Sequence, residues 1–174
     1  MKVLMIYDQI QAGVGTKDDK MVPLGGKKEA IGPAIMMEPF LKAVNGEVIA
    51  CLHCGNGTYL ADPEDVSKKL CAMVKKMNPD VVMCGPSFNF ADYSAMAAKV
   101  AYDIMQLTGI PAMAAMSEEN ADVIAAYKDK VNIVITPKKG GTGLNDALRN
   151  MCKLAQAMVE KKDTTQLVKD VCFS

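Results

Sequence analysis

Short runs in which nearly every position is apolar alternate along this chain with longer segments whose apolar positions return at helical spacing. The runs Val3 to Tyr7, Glu47 to Cys51, Asp80 to Cys84, Ala112 to Met116 and Asn132 to Ile135 are read as five strands, and their near-continuous apolarity implies cover on both faces. Between the second and third runs, Asp62-Pro63-Glu64-Asp65 supplies an N-cap, a first-turn proline and early acids. Val66, Leu70, Met73, Val74 and Met77 then recur on one helical face. A second helix is predicted from Tyr93 to Leu107, stopped by Gly109 with Pro111 behind it, and a third from Leu144 to Glu160. Strand and helix in alternation predict βα units. Right-handed crossovers then give a three-layer αβα domain with a five-stranded parallel sheet, in the 2-1-3-4-5 order of flavodoxin-like domains or a Rossmann-like order. No repeat or low-complexity tract interrupts the pattern, so residues 1–174 are read as a single domain.

Composition sharpens the picture by exclusion. The 174 residues are 50% hydrophobic, enough for one core without a second domain. Lys plus Arg and Asp plus Glu both number 20, and a net charge of zero offers no field for nucleic acid. Met1 to Tyr7 is too brief for a secretory h-region, and no stretch reaches the roughly 20 apolar residues of a membrane span. A cytoplasmic protein is expected. The six cysteines read as reduced thiols, because Cys71, Cys84 and Cys152 lie in apolar segments of a domain that needs no staples. Fourteen methionines and no tryptophan imply a soft core or an adaptable contact surface.

In doubly wound sheets ligands bind outside the carboxyl ends of the strands, which directs attention to the loops. The first, Gln9 to Pro33, is glycine-rich and about 25 residues long, a length usually functional or disordered. Gly13 and Gly15 begin a dinucleotide fingerprint, but Asp18 occupies the third glycine position; Gly25-Gly26-Lys27-Lys28 does not complete a P-loop either. No bound cofactor is expected. In the second loop Cys51 lies inside the strand and Gly55 should interrupt an immediate helix. Cys54 therefore reads as a thiol exposed at a strand end, the one catalytic candidate, rather than half of a redox pair. His53, the only histidine, reads as a packed or solvated side chain, and two cysteines with one histidine fall short of a structural zinc site. The third loop, Gly85-Pro86-Ser87-Phe88-Asn89, leaves Ser87 and Asn89 at a helix amino terminus suited to a carboxylate or phosphate, or serves as turn and cap. A Ser87–His53 hydrolase lacks the Gly-x-Ser-x-Gly elbow. Ser117-Glu118-Glu119-Asn120 adds acids and an amide. Lys138, Gly140, Gly141 and Thr142 precede the last helix and offer an anion site or a solvated turn.

Taken together, the loops resemble the amino-terminal part of the selenoprotein B subunit of the glycine, sarcosine and betaine reductases of amino-acid-fermenting anaerobes. The residues that carry this are Gln11-Ala12-Gly13-Val14-Gly15, Ile31-Gly32-Pro33, Cys54-Gly55, Gly85-Pro86-Ser87-Phe88-Asn89 with Tyr93, Gly109-Ile110-Pro111-Ala112 and Glu119-Asn120, in one order. The resemblance implies an amine or amino-acid-like substrate held as a Schiff base on a pyruvoyl-bearing subunit and attacked by a selenolate. Parallel connections bring Gly13, Gly15, Gly55, Gly85, Pro86, Ser87, Asn89, Tyr93, Glu119 and Asn120 to one sheet edge, where they are expected around the ligand with the Gly85 to Asn89 turn as the floor. The family's Sec-x-x-Cys-x-x-Cys segment is not found in these residues, and Asn56 stands where the family pattern has an acid. The chain is therefore expected to form part of a substrate pocket or to dock a pyruvoyl-bearing or selenoprotein subunit, or a second copy of itself. The alternatives are a reductase in which Cys54 replaces the selenol, and a stand-alone flavodoxin-like domain for a small anion or nucleotide.

Overall fold

A computed structural model describes all residues, 1–174. β1 (Lys2–Tyr7) runs through the middle of the molecule, and every residue from Val3 to Tyr7 is fully buried. It pairs in parallel with β3 (Glu47–His53) on one side and β4 (Val81–Cys84) on the other. Beyond β4 lie β5 (Ala112–Met116) and β6 (Ile133–Ile135), also parallel. These five correspond to the apolar runs of the sequence. The sheet nevertheless has six strands, in the order β2-β3-β1-β4-β5-β6, and it is mixed. β2 (Gly25–Lys27) comes from the long first loop and pairs antiparallel with Cys51 to His53 at the β3 edge, which corrects the expectation of five strands, all parallel. Two glycines make this approach feasible, since a Cβ at Gly26 would stand 2.6 Å from Leu52 Cδ2 and 3.1 Å from the Cys51 carbonyl.

The helices form the outer layers. α1 (Pro33–Lys42) and α6 (Leu144–Val159) pack together on one face. α3 (Pro63–Met77) and α4 (Ala91–Thr108) pack together on the other, with the short α2 (Asn56–Ala61) and α5 (Ala121–Tyr127) beside them. α3 starts as its sequence implies, with the Asp62 side chain accepting the Asp65 N–H at 3.1 Å, and ends at Asn78 in the left-handed conformation. The stripe Val66, Leu70, Cys71 and Val74 is buried against the sheet layer. The small residues of α4, Ala97, Ala98 and Ala101, are completely buried and let the helix lie close on β5; Gly109, at φ 72°, closes it. α7 (Thr165–Val171) follows α6, and Cys172 bridges back to Val134. None of the helices is long and apolar enough to cross a membrane.

Two buried tyrosines fasten the layers to β1. The Tyr93 hydroxyl, on α4, donates to the Ile6 carbonyl at 2.8 Å. The Tyr7 hydroxyl donates to the Ile31 carbonyl at 3.0 Å and accepts the Ala34 N–H at 2.9 Å, so the start of α1 hangs from the end of β1. Replacing Tyr93 by Phe removes one buried hydrogen bond with little change of volume. The expected loss is about 1 kcal/mol in urea unfolding, up to about 3 if the Ile6 carbonyl is left unsatisfied; an unchanged midpoint would show that the hydroxyl does not hold α4 to the sheet.

Candidate functional site

Buried polar side chains in this protein gather where the parallel strands end. Asp8 and Gln9 follow β1, Asn56 follows β3, Ser87 follows β4, Ser117 and Asn120 follow β5, and Thr136 follows β6; all are buried. Burying so many polar groups is costly unless they are satisfied, and the hydrogen bonds that most of them make divide the sheet edge into two halves, with Asp8 Oδ2, Asn56 Oδ1 and Ser117 Oγ left unpartnered.

On the β1–β3 half the first loop folds down and covers the strand ends. Turns close it locally, with Ala12 N–H donating to Asp8 O and Val14 N–H to Gln9 O, each at 3.1 Å. Lys20 O then accepts the N–H groups of Gly57 (2.7 Å) and Thr58 (3.2 Å), and Val22 O accepts that of Gly55 (2.9 Å) and the Thr58 hydroxyl (2.9 Å). The amino end of α2 is thereby occupied by the chain's own carbonyls. Gly55 is required for this contact, because a Cβ there would stand 2.7 Å from both Val22 N and Val22 O. The expected helix interruption at Gly55 is thus corrected: Gly55 is the N-cap residue of α2.

The same cover corrects the expectation for Cys54. It is completely buried rather than exposed, and burial pushes its thiol up to about 11. All six cysteines are free and buried; burial also raises Cys51 and Cys84, brings Cys71 to about 11, and brings Cys152 and Cys172 to about 12. None is a thiolate at neutral pH. Gly13 and Gly15 lie in the covering loop, Gly13 exposed.

Sequence reasoning passed over Asp8 and Gln9. Gln9 joins the two strand ends, its Oε1 accepting Asn56 N–H at 3.0 Å and its Nε2 donating to Thr16 O at 3.3 Å. Asp8 Oδ1 accepts Gln11 N–H at 2.8 Å, while its Oδ2 and the neighbouring Asn56 Oδ1 have no donor; burial raises the Asp8 carboxyl above its ordinary range. The available signal was two polar residues directly after a strand at the point where strand order reverses. His53, held below its ordinary pKa by burial and by Lys27, lies under β2 with Nδ1 unpartnered. β1 stands between it and Ser87, which rules out a pairing of the two.

On the β4–β6 half the loops brace one another and stay open. Ser87 is completely buried: its N–H donates to Ala115 O at 2.9 Å, and its hydroxyl shares a 2.7 Å hydrogen bond with Ser94 and reaches Ala115 O at 3.1 Å. Ser87 therefore ties β4 to β5 and does not face a ligand, a correction to the expected anion contact; Tyr93, also internal, serves β1. Phe88 O accepts Ser117 N–H at 2.9 Å and Asn120 Nδ2 at 2.7 Å, so Asn120 is a buried brace. Asn89 is exposed, but its Oδ1 accepts Lys139 N–H at 2.9 Å, and the Lys139 ammonium lies 5.0 Å above the Phe88 ring. Gly85 and Pro86 are buried beneath this turn.

Above these braces lies a cleft of about 340 Å³ between the β5 and β6 ends, lined by Ser117, Glu118, Glu119, Thr136, Pro137 and Lys138 among others. The nearby Ser117 hydroxyl, the carboxyl's own backbone N–H and the Lys138 charge hold Glu119 below its usual range, while the buried Ser117 Oγ makes no hydrogen bond of good geometry. An acid and a lysine from two different loops thus face one cleft, which joins two sets of sequence candidates. Gly140, Gly141 and Thr142 continue the Lys138 loop, with Gly141 N–H turned back onto Lys138 O at 2.9 Å. Gly13, Gly15, Cys54 and Gly55 belong to the other half; β3 and β5 are three strand spacings apart, roughly 14 Å. No group of three or more His, Cys, Asp or Glu side chains is placed to hold a metal ion.

With this geometry established, comparison with known proteins is specific. The family described as glycine/sarcosine/betaine reductase selenoprotein B matches residues 1–173. The glycine reductase complex component B subunit gamma of Carboxydothermus hydrogenoformans is 30% identical over 137 residues, covering 79% of this chain and 31% of its own length. The sarcosine reductase complex component B subunit beta of Peptoclostridium acidaminophilum is 28% identical over 161 residues, covering 92% and 36%. The chain spans about a third of the length of these relatives. No solved structure matches significantly.

The burial of every thiol has a direct readout. In the native protein none of the six should be alkylated rapidly by iodoacetamide at neutral pH, and all six should react at once in denaturant. Peptide mapping that found Cys54 labelled at the rate of a free thiol would show that the first loop does not cover it.

Proposed function

The chain belongs to the glycine/sarcosine/betaine reductase selenoprotein B family, and we propose that it contributes a substrate-binding wall to a component B reductase, not the reducing nucleophile. The observation that carries this reading is the cleft in which Glu119 and Lys138 meet. Glycine, sarcosine and betaine share a carboxylate beside a cationic nitrogen, and opposed charges on two braced loops suit such a zwitterion. The Lys138 ammonium takes the carboxylate. Glu119 takes the nitrogen end, by charge-assisted hydrogen bonds for an amine and by charge alone for a quaternary nitrogen. The braces from Asn120 to Phe88 and from Asn89 to Lys139 hold the two loops at a fixed separation, so that binding loses little to loop ordering.

The relatives are named as components of reductase complexes, which supports a chain that works beside partner subunits. The pyruvoyl and selenol chemistry that the family resemblance implies is assigned in this reading to those partners, or to segments outside these residues. Cys54 as a substitute for the selenol is disfavoured by its burial and raised pKa. Asp8 and Asn56, at the reversal point, close off the other half of the edge and are not assigned to the substrate.

Calorimetric titration with glycine, sarcosine and betaine tests the cleft. Lys138→Ala should weaken all three by about tenfold, the order of one charge-assisted hydrogen bond. Glu119→Gln should weaken glycine and sarcosine more than betaine, since only the first two have N–H groups to donate. No measurable binding of any of the three by the native chain at millimolar concentration, or variants that change nothing, would remove the cleft from consideration.

A second outcome follows from the thiols. The purified chain with dithiothreitol should turn over none of the three substrates. Sustained reduction that Cys54→Ala abolishes would restore the cysteine-nucleophile reading.

A further inference from the structure

The opposite boundary of the sheet, near the start of β3, is incompletely closed. β2 pairs only with Cys51, Leu52 and His53, after which the chain leaves the sheet at Lys28. Glu47 to Ala50 therefore have no partner strand on their outer side. Opposite β1, Val3 aligns with Val48 and Leu4 with Ala50, so Ile49 is an extra residue bulged into this stretch. Uncovered strand edges are docking templates as well as liabilities, and a bulge with nearby lysines is a usual guard against indiscriminate pairing.

Two clefts flank this bare segment, one on each face of the sheet. The first, about 440 Å³, is lined by Ala34, Ile35, Leu41 and Val48, with Glu38 and Lys42 paired at its rim at 3.4 Å. The second, about 600 Å³, has Ile49, Met73 and Met77 as its floor and Lys28 and Lys76 at its rim. A smaller recess continues it past Ala50 and Leu52 toward Lys27. Val48 lines one cleft and Ile49 the other, and the bulge then brings Ala50 to the same side as Ile49, beside Met73 and Met77. The three lysines are exposed and form no ion pair. Methionine side chains adapt their shape to an incoming aliphatic group, so the Met73–Met77 floor suits a contact surface.

We propose that this edge docks an extended, acidic segment of a partner polypeptide, which pairs with the backbone of Val48 to Ala50. Alternate side chains of such a segment enter the two clefts. Apolar residues fill the Ala34–Leu41 side, while glutamates lay their stems on Met73 and Met77 and bring their carboxylates to Lys27, Lys28 and Lys76. The unpaired positive rim selects this occupant over a basic one. The edge lies on the far side of β3 from the Glu119–Lys138 cleft, so docking here and substrate binding there stand or fall separately.

The probe is a fluorescein-labelled hexapeptide of alternating Leu and Glu with a blocked carboxyl terminus, titrated by anisotropy against the full chain. Binding should weaken with salt, and hydrogen exchange should slow at the amides of Val48 to Ala50. The Lys28→Glu, Lys76→Glu double variant alters only exposed side chains and should fold normally; it should lose about tenfold or more in affinity. A peptide with proline at two alternate positions should lose binding through its missing N–H groups, and a Leu-Lys peptide should not bind. Full affinity in the double variant, equal affinity for the proline peptide, or no binding at millimolar peptide would overturn the proposal. So would sedimentation showing that the free chain self-associates through these residues, since the occupant would then be a second copy.

Discussion

A strand buried on both faces and flanked on both edges cannot carry a polar side chain until it ends. β1 is such a strand, and its position constrains everything else: its backbone is satisfied by β3 and β4, its faces by α1 with α6 and by α3 with α4. Polar groups reappear abruptly at Asp8 and Gln9, at a depth where water does not reach. Each must be met by another part of the chain, and each partner found fixes a loop: Gln9 fixes the start of α2, Tyr7 the start of α1, and Tyr93 attaches α4 to the same strand. The arrangement of the carboxyl edge is thus a consequence of how deep β1 lies.

That dependence explains the division of the edge. Next to β1 and β3 the first loop supplies carbonyls to the free N–H groups of α2 and seals the strand ends, leaving Asp8 Oδ2, Asn56 Oδ1 and His53 Nδ1 without partners. Beyond β4 no long loop is available. The β4, β5 and β6 connections instead satisfy one another through Ser87, Asn120 and Asn89, each spending its side chain on a neighbouring backbone. Residues so engaged are braces, while Glu119 and Lys138 line the cleft beside them.

The elements that could be read from sequence are those whose signals are local. Asp62 caps α3 and Gly109 ends α4 because capping depends on a few adjacent residues. Apolar runs become strands because both faces are covered. What escaped the sequence depends on contacts across long separations. Gly25 to Lys27 reads as loop, and becomes strand only because His53 and Leu52 are beside it. The helix after Gly55 is concealed by the glycine, whose function is to let Lys20 and Val22 approach. Pro33 and an internal Pro39 conceal α1. Cys54 and Ser87 were placed correctly at strand ends, yet their burial is decided by the first loop and by Ala115. The meeting of Glu119 with Lys138 likewise needs the neighbouring positions of β5 and β6.

The central strand also sets the order in which the chain can assemble during synthesis. β1 is made before the strands that pair with it, but the segment that completes its second edge is 78 residues away, the separation between Lys2 and Asp80, whose carboxylate accepts the Lys2 N–H at 2.7 Å. At about 5–20 residues per second that edge stays open for roughly 4–16 s. For that interval a strand whose residues from Val3 to Tyr7 all end up buried presents an open edge, with the charge of Lys2 at its start and that of Asp8 just past its end. Charges so placed are the usual gatekeepers against pairing with other chains, and Asp8 is buried once the first loop folds over the strand end.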